Sequence, residues 1–147
     1  MTWISEFAKA AAVTDQLEPG EHHLSLLAAG LMGEAGSILS EEKKRLRDGD
    51  AYAAAYQSRV CEEIGDFLWY YVRLVALLDP ELVSTLDGTS GVQPRTKAGR
   101  PLVSAIGLGA AVGKILIAIR EGAKPSLEVR PLLQDVWTSL VAVSHHV

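Results

Sequence analysis

GEAGSILSEEKK at residues 33–44, read together with EEIGDFLWYY at residues 62–71, decides the fold of this chain. Each segment has helical spacing, and each sets carboxylates inside a run that is otherwise small or apolar. Ionised carboxylates are costly against an apolar face unless a cation offsets them. No Lys or Arg lies three or four residues from Glu34 or Asp66, so neither has a partner on its own helix. A bound metal ion is the simplest source of the missing positive charge.

Outward from these segments, the whole chain reads as helix. Residues 2–15 predict a short amphipathic helix with Ile4, Phe7 and Ala11 on one side, ended by Pro19-Gly20. A long helix follows over about 21–47, with Leu24, Leu27, Leu31, Ile38 and Arg45 along one stripe. Asp48-Gly49-Asp50 is a stop, and a third helix covers about 51–78. It closes at Asp79-Pro80, because the residue before proline disfavours the α region. Residues 80–87 suggest one further short turn. Residues 87–101 are rich in Gly, Pro and Thr and read as a long loop. Two more helices, about 102–122 and 127–146, complete the chain. The expected fold is all-α, a bundle of four main helices plus a short N-terminal one.

The second half echoes the first. Setting Gly30-Leu31 against Gly107-Leu108 also matches Gly36 with Gly113, Ile38 with Ile115 and Leu39 with Leu116. Asp66 can likewise be set against Asp135. Ala111 then stands for Glu34 and Leu132 for Glu63. This reads as a duplicated helix hairpin whose second copy kept its packing and lost its acids. Chance similarity between Ala/Gly/Leu-rich helices is the competing reading. In both readings the chemistry belongs to residues 1–85 of a single 1–147 domain, and residues 102–147 supply packing.

Bulk composition sets the class. A chain of 147 residues, with 48% apolar and 22% charged side chains, fits one globular domain. Residues 1–85 carry seven basic and fourteen acidic side chains, and residues 86–147 carry seven basic and four acidic. The halves are therefore −7 and +3, which argues against nucleic acid as a partner of the acidic half and suits a cation site. No apolar run is expected to approach the roughly 20 residues that span a bilayer. Trp3, Glu6 and Lys9 interrupt any signal-peptide core, and Cys61 stands alone. A cytoplasmic protein without an internal disulfide is expected.

On one face of the second helix, Glu34 and Glu41 lie two turns apart. On the third, Glu63 and Asp66 lie three residues apart, and Tyr70 continues their stripe. Antiparallel neighbours would turn these acidic faces toward each other. All-oxygen sites suit Mg²⁺ or Mn²⁺, whereas zinc would call for His or Cys. Magnesium is commonly shared between a few carboxylates and substrate phosphates, which gives phosphate chemistry a physical basis. Lys43, Lys44, Arg45 and Arg47 follow the first acidic face, with Lys44 and Arg47 the candidate phosphate ligands. The alternative for all four is dipole stabilisation at a helix C-terminus, about 0.3–1 kcal/mol each. Gly30, Gly33 and Gly36 each cost roughly 0.8–1 kcal/mol relative to alanine, which close helix packing would offset. Trp69 and Tyr70 are candidates for stacking on a nucleobase, against the alternative of ordinary core aromatics. His22, His23, His145 and His146 read as surface residues.

With these residues in view, GLMGEAGSILSEEKK followed by EEIGDFLWYY resembles the MazG-like nucleotide pyrophosphohydrolases of the all-α NTP pyrophosphatase superfamily. The resemblance covers roughly residues 5–78. It implies Mg²⁺-dependent hydrolysis of a (deoxy)nucleoside triphosphate to monophosphate and pyrophosphate, and association into homodimers or homotetramers. Those proteins carry E-x-x-E on one helix and E-x-x-D on the next. By position, Glu34 matches the first acid, and Glu63 and Asp66 match the later pair. The second acid falls at Ser37, a weak magnesium ligand able to hold a coordinated water, and Glu41 is the candidate substitute. Glu62 and Glu63 are the candidate catalytic pair, with Glu62 as base or as a partner behind the metal ligands.

Two other classes compete with the enzyme. Ser37 and the acid-free second half suit a nucleotide-binding or regulatory module that has lost turnover. A structural helical adaptor is the third reading, and it predicts no Mg²⁺-dependent gain in stability.

Overall fold

The computed structural model describes residues 3–20, 22–86, 101–122 and 128–147. Six helices are present among them: α1 (Trp3–Thr14), α2 (His23–Asp48), α3 (Asp50–Leu78), α4 (Pro80–Thr85), α5 (Pro101–Arg120) and α6 (Arg130–Ser144). The fold is all-α. The expected long loop lies almost wholly in residues 87–100, outside the described residues.

A single residue separates α2 from α3. Gly49 has φ 55°, a conformation that a Cβ disfavours, and its N–H donates to the Arg45 carbonyl at 3.0 Å. The chain therefore reverses at once and lays α3 antiparallel along α2, and this pair forms the most extensive interface in the molecule. α2 contributes Leu27, Leu31, Ala35 and Ile38 to the core. α3 contributes Val60, Phe67, Tyr71, Val72, Leu74, Val75 and Leu78.

α5 packs on the other side of α2, and α6 packs on α5. The positions paired by the internal repeat share their burial: Leu31 with Leu108, and Ile38 with Ile115, are all inaccessible to solvent. Tyr71 joins the two hairpins. Its ring stacks on Trp137 with centroids 5.8 Å apart, and its hydroxyl donates to the Leu133 carbonyl at 2.9 Å. Burial pushes that phenol far above its ordinary range.

At Asp79-Pro80 the turn chemistry is local. Pro80 opens α4, and the Asp79 side chain caps it by accepting from Leu82 N–H at 3.3 Å. Arg130, the first residue of α6, donates to both Asp79 carboxylate oxygens at 2.5 and 2.7 Å. Hydrogen bonding from Arg130 holds Asp79 below the usual carboxylate range despite its burial.

The apolar-run expectation is corrected in one place. α5 is 20 residues long with a mean hydropathy of 2.2 over its 18-residue window, long and apolar enough to cross a membrane by length and composition. It is the one such helix among the described residues. It buries Ala105, Leu108, Ala111, Val112 and Ile115 against its neighbours, and leaves Val103, Ile106 and Ile117 about half exposed.

Candidate metal centre

Glu34 lies one turn beyond Gly30 on α2, and Glu63 and Asp66 lie opposite on α3. The antiparallel pairing brings one carboxylate oxygen of each within 4.8 Å of the other two. Glu34 and Glu63 are half-buried and Asp66 is exposed. Burial, followed by the charges of Asp66 and Glu63, holds the Glu34 carboxyl above its usual range. A divalent cation would reverse that effect by favouring all three ionised forms. Three oxygen donors with room on the solvent side fit Mg²⁺ or Mn²⁺.

A cavity of about 380 Å³ adjoins the acids, lined by Glu34, Asp66, Trp69 and Tyr70. It is acidic on one side and aromatic on the other. The Trp69 and Tyr70 rings meet edge-to-face, with centroids 5.0 Å apart at 83°. Tyr70 also packs on α2, where its ring occupies the space a Cβ at Gly30 would need. Close packing therefore accounts for Gly30. It does not account for Gly33 or Gly36, because a Cβ at either would meet nothing within 4 Å.

Thr14, the last residue of α1, holds one ring of the aromatic wall. Trp69 Nε1–H donates to Thr14 Oγ1 at 2.9 Å. Asp15 accepts from Arg73 Nε at 2.8 Å and from the Leu17 N–H at 3.0 Å, and bonds His23 Nε2 at 3.1 Å. Burial opposes the ionisation of Asp15, but these hydrogen bonds outweigh it and hold its carboxyl below the usual range. His23 is thus engaged rather than a free surface residue, and His146 Nε2 likewise lies 3.2 Å from Ser104 Oγ. Sequence reading missed Thr14, Asp15 and Arg73. The one available signal was Arg73 at seven residues from Asp66, on its face; Thr14 meets Trp69 across 55 residues and had none.

Other candidates stand apart from the three acids. Glu41 is 3% exposed and held by the Lys44 ammonium and the Tyr52 hydroxyl. Burial opposes its ionisation, and Lys44 and Tyr52 outweigh that and lower it. Glu41 is therefore not the substitute for the acid missing at Ser37. Its neighbour Glu42, 1% exposed, accepts from Tyr56 and from Arg45 at 3.0 and 3.1 Å. The candidate phosphate ligands are engaged as well: Lys44 with Glu41, and Arg47 with Asp48 at 2.6 and 2.7 Å. Glu62 is exposed beside Glu63 and makes no ion pair among the described residues.

The second hairpin carries a comparable pair. Lys114 Nζ donates to Asp135 Oδ2 at 3.2 Å. In the repeat alignment these residues occupy the positions of Ser37 and Asp66, so an exposed ammonium stands where the first hairpin has a serine.

Sequence comparison places little beside this geometry. No protein-family model matches the chain, and no solved structure matches it. Gene 37 protein of Mycobacterium phage L5 is 40% identical over 57 residues, which are 38% of this chain and 50% of the phage protein. The chain thus spans about half the length of that relative.

Proposed function

We propose that this protein is a Mg²⁺-dependent nucleotide pyrophosphohydrolase, converting (deoxy)nucleoside triphosphates to monophosphate and pyrophosphate in nucleotide-pool house-cleaning. The observation that carries this reading is the convergence of Glu34, Glu63 and Asp66 within 4.8 Å, beside a cavity walled by Trp69 and Tyr70. The likeness of EEIGDFLWYY and its partner helix to MazG-like enzymes supports the same reading.

In this assignment Glu34, Glu63 and Asp66 hold Mg²⁺, with Mn²⁺ able to replace it. Bound there, the ion would neutralise polyphosphate charge and favour ionisation of a water nucleophile. Trp69 and Tyr70 receive the nucleobase on a surface held by Thr14 and Gly30. Glu62, exposed beside the metal ligands, accepts the proton released by the attacking water. A cytoplasmic location and assembly as a homodimer or homotetramer belong to the same proposal.

Incubation with a panel of nucleoside triphosphates, with and without Mg²⁺, followed by a pyrophosphate assay, tests it. Release from at least one nucleotide that disappears in Asp66→Asn supports the enzyme. No release from any nucleotide removes it.

A second reading has its own observation. Three acids converge where the resembling enzymes use four, because position 37 is serine. A nucleotide-binding module without turnover would bind Mg²⁺ and nucleotide in a calorimeter and release no product.

A further inference from the structure

Three cross-helix relationships share one register. Gly30 faces Tyr70, Glu34 faces Asp66, and Arg59 acts electrostatically on Glu41. From each to the next, α2 advances by four and then seven residues, and α3 retreats by the same steps. Along α3 this orders Arg59, Glu63, Asp66 and Tyr70 at spacings of four, three and four residues, all on one face. At 1.5 Å per residue the row is about 16 Å long.

Arg59 is the cation of that row. It is exposed, and it makes no ion pair within 4 Å among the described residues. Of the cations at the end of α2, Lys44 is engaged by Glu41, Arg45 by Glu42 and Arg47 by Asp48. Lys43, exposed and without an ion pair among the described residues, lies nine residues from Glu34, on the opposite side of the helix. Glu62 and Glu63 lie three and four residues from Arg59, yet neither captures it. A guanidinium with no carboxylate within 4 Å among the described residues, one turn from a carboxylate cluster, offers a planar fork to an anion that the acids themselves would repel.

Resting on the proposed function above, we infer that Arg59 receives the terminal phosphate of the bound polyphosphate and so sets the polarity of the substrate along α3. The base lies at Trp69 and Tyr70, the inner phosphates lie over Glu63 and Asp66, and the chain terminus lies at Arg59. A nucleoside monophosphate placed with its base on the aromatic wall is too short to reach Arg59. A triphosphate reaches it. Arg59 is then the residue that separates substrate from nucleotide product.

Calorimetry on the full chain with Mn²⁺ tests this, using α,β-imido analogues of dATP, dCTP, dGTP and dTTP and the four corresponding monophosphates. In Arg59→Gln, triphosphate-analogue affinity should fall about tenfold or more while monophosphate affinity and Mn²⁺ affinity hold. Arg59→Lys, which keeps the charge and loses the fork, should fall between the two. Unchanged triphosphate affinity in Arg59→Gln, or an equal loss for monophosphates, overturns the assignment and leaves the proposed function standing. Weakened Mn²⁺ binding in the absence of nucleotide overturns it too, because Arg59 would then be organising the acids. No analogue binding by the parent protein removes the proposed function and this inference together.

Discussion

The ring of Tyr70 lies where a side chain at residue 30 would have to be, so Gly30 and Tyr70 occupy one shared space between α2 and α3. Helix propensity alone would make Gly30→Ala stabilising by roughly 0.8–1 kcal/mol. Here the added methyl overlaps three atoms of the ring, and Tyr70 must swing away from α2. Gly30→Ala should therefore be less stable than the parent by about 1–3 kcal/mol, the usual cost of overpacking. Gly33→Ala and Gly36→Ala, with open space at the new Cβ, should gain stability. Thermal melts of the three variants decide this, and near-ultraviolet dichroism reports the displaced ring.

Burial and crowding by Glu63 and Asp66 make the ionised Glu34 carboxylate costly to the metal-free protein. Glu34→Gln should raise the melting temperature measured in EDTA. The same variant should lose most of the rise that Mg²⁺ or Mn²⁺ gives the parent, because ligand binding to the native state stabilises it in proportion to affinity. Equal metal-induced shifts in parent and variant would remove Glu34 from the ligand set.

The repeat suggests a way to replace the ion with a side chain. Lys114 meets Asp135 at the positions matched to Ser37 and Asp66. Ser37→Lys should place an ammonium among Glu34, Glu63 and Asp66, raise stability in EDTA and abolish the metal-dependent shift. Differential scanning calorimetry with and without Mn²⁺ measures both effects.

Acid should open the other end of the same hairpin. Glu41 has a carboxyl held below its ordinary value of 4.5 once Lys44 and Tyr52 outweigh its burial. A depressed folded-state value means that its stabilisation is present above about 4.5 and is lost as pH falls through the lower folded value. Glu41→Gln should consequently be less stable than the parent at neutral pH, with the gap narrowing below that range. Urea titrations between neutral and acid pH follow the difference.

At the join of α4 and α6, Asp79 both caps α4 and accepts from Arg130. Asp79→Ala removes a cap worth about 0.5–2 kcal/mol and leaves the Arg130 guanidinium without that partner. Arg130→Ala keeps the cap and removes the cross-helix bonds to Asp79 and to Glu81. A double-mutant cycle should show coupling above 0.5 kcal/mol, as for residues in direct contact.

Much of this molecule is local, and that part was legible in the residues. Gly49, Asp79-Pro80 and the apolar stripes of residues 27–38 and 60–78 set helix ends and buried faces through backbone chemistry and periodicity. Glu34 and Asp66 stood out because no cation lies three or four residues from either, and their convergence with Glu63 needed only an antiparallel hairpin. The fate of Glu41 was not readable in the same way. Its spacing from Glu34 matched the acidic face, but Lys44 and Tyr52 reach it first, and competition among partners is settled in space. The membrane-length apolarity of α5 was likewise obscured by Lys114 within its sequence.

Sequence by itself determined five helices, a further short turn at residues 80–87 and two uncompensated acids, Glu34 and Asp66, because each depends on neighbours within about two turns. Tertiary structure decided which acids meet, which cations stay free, how Thr14 holds Trp69 and how Asp15 holds Arg73. Those outcomes depend on contacts between residues up to 58 positions apart, where packing selects among partners that spacing leaves equivalent.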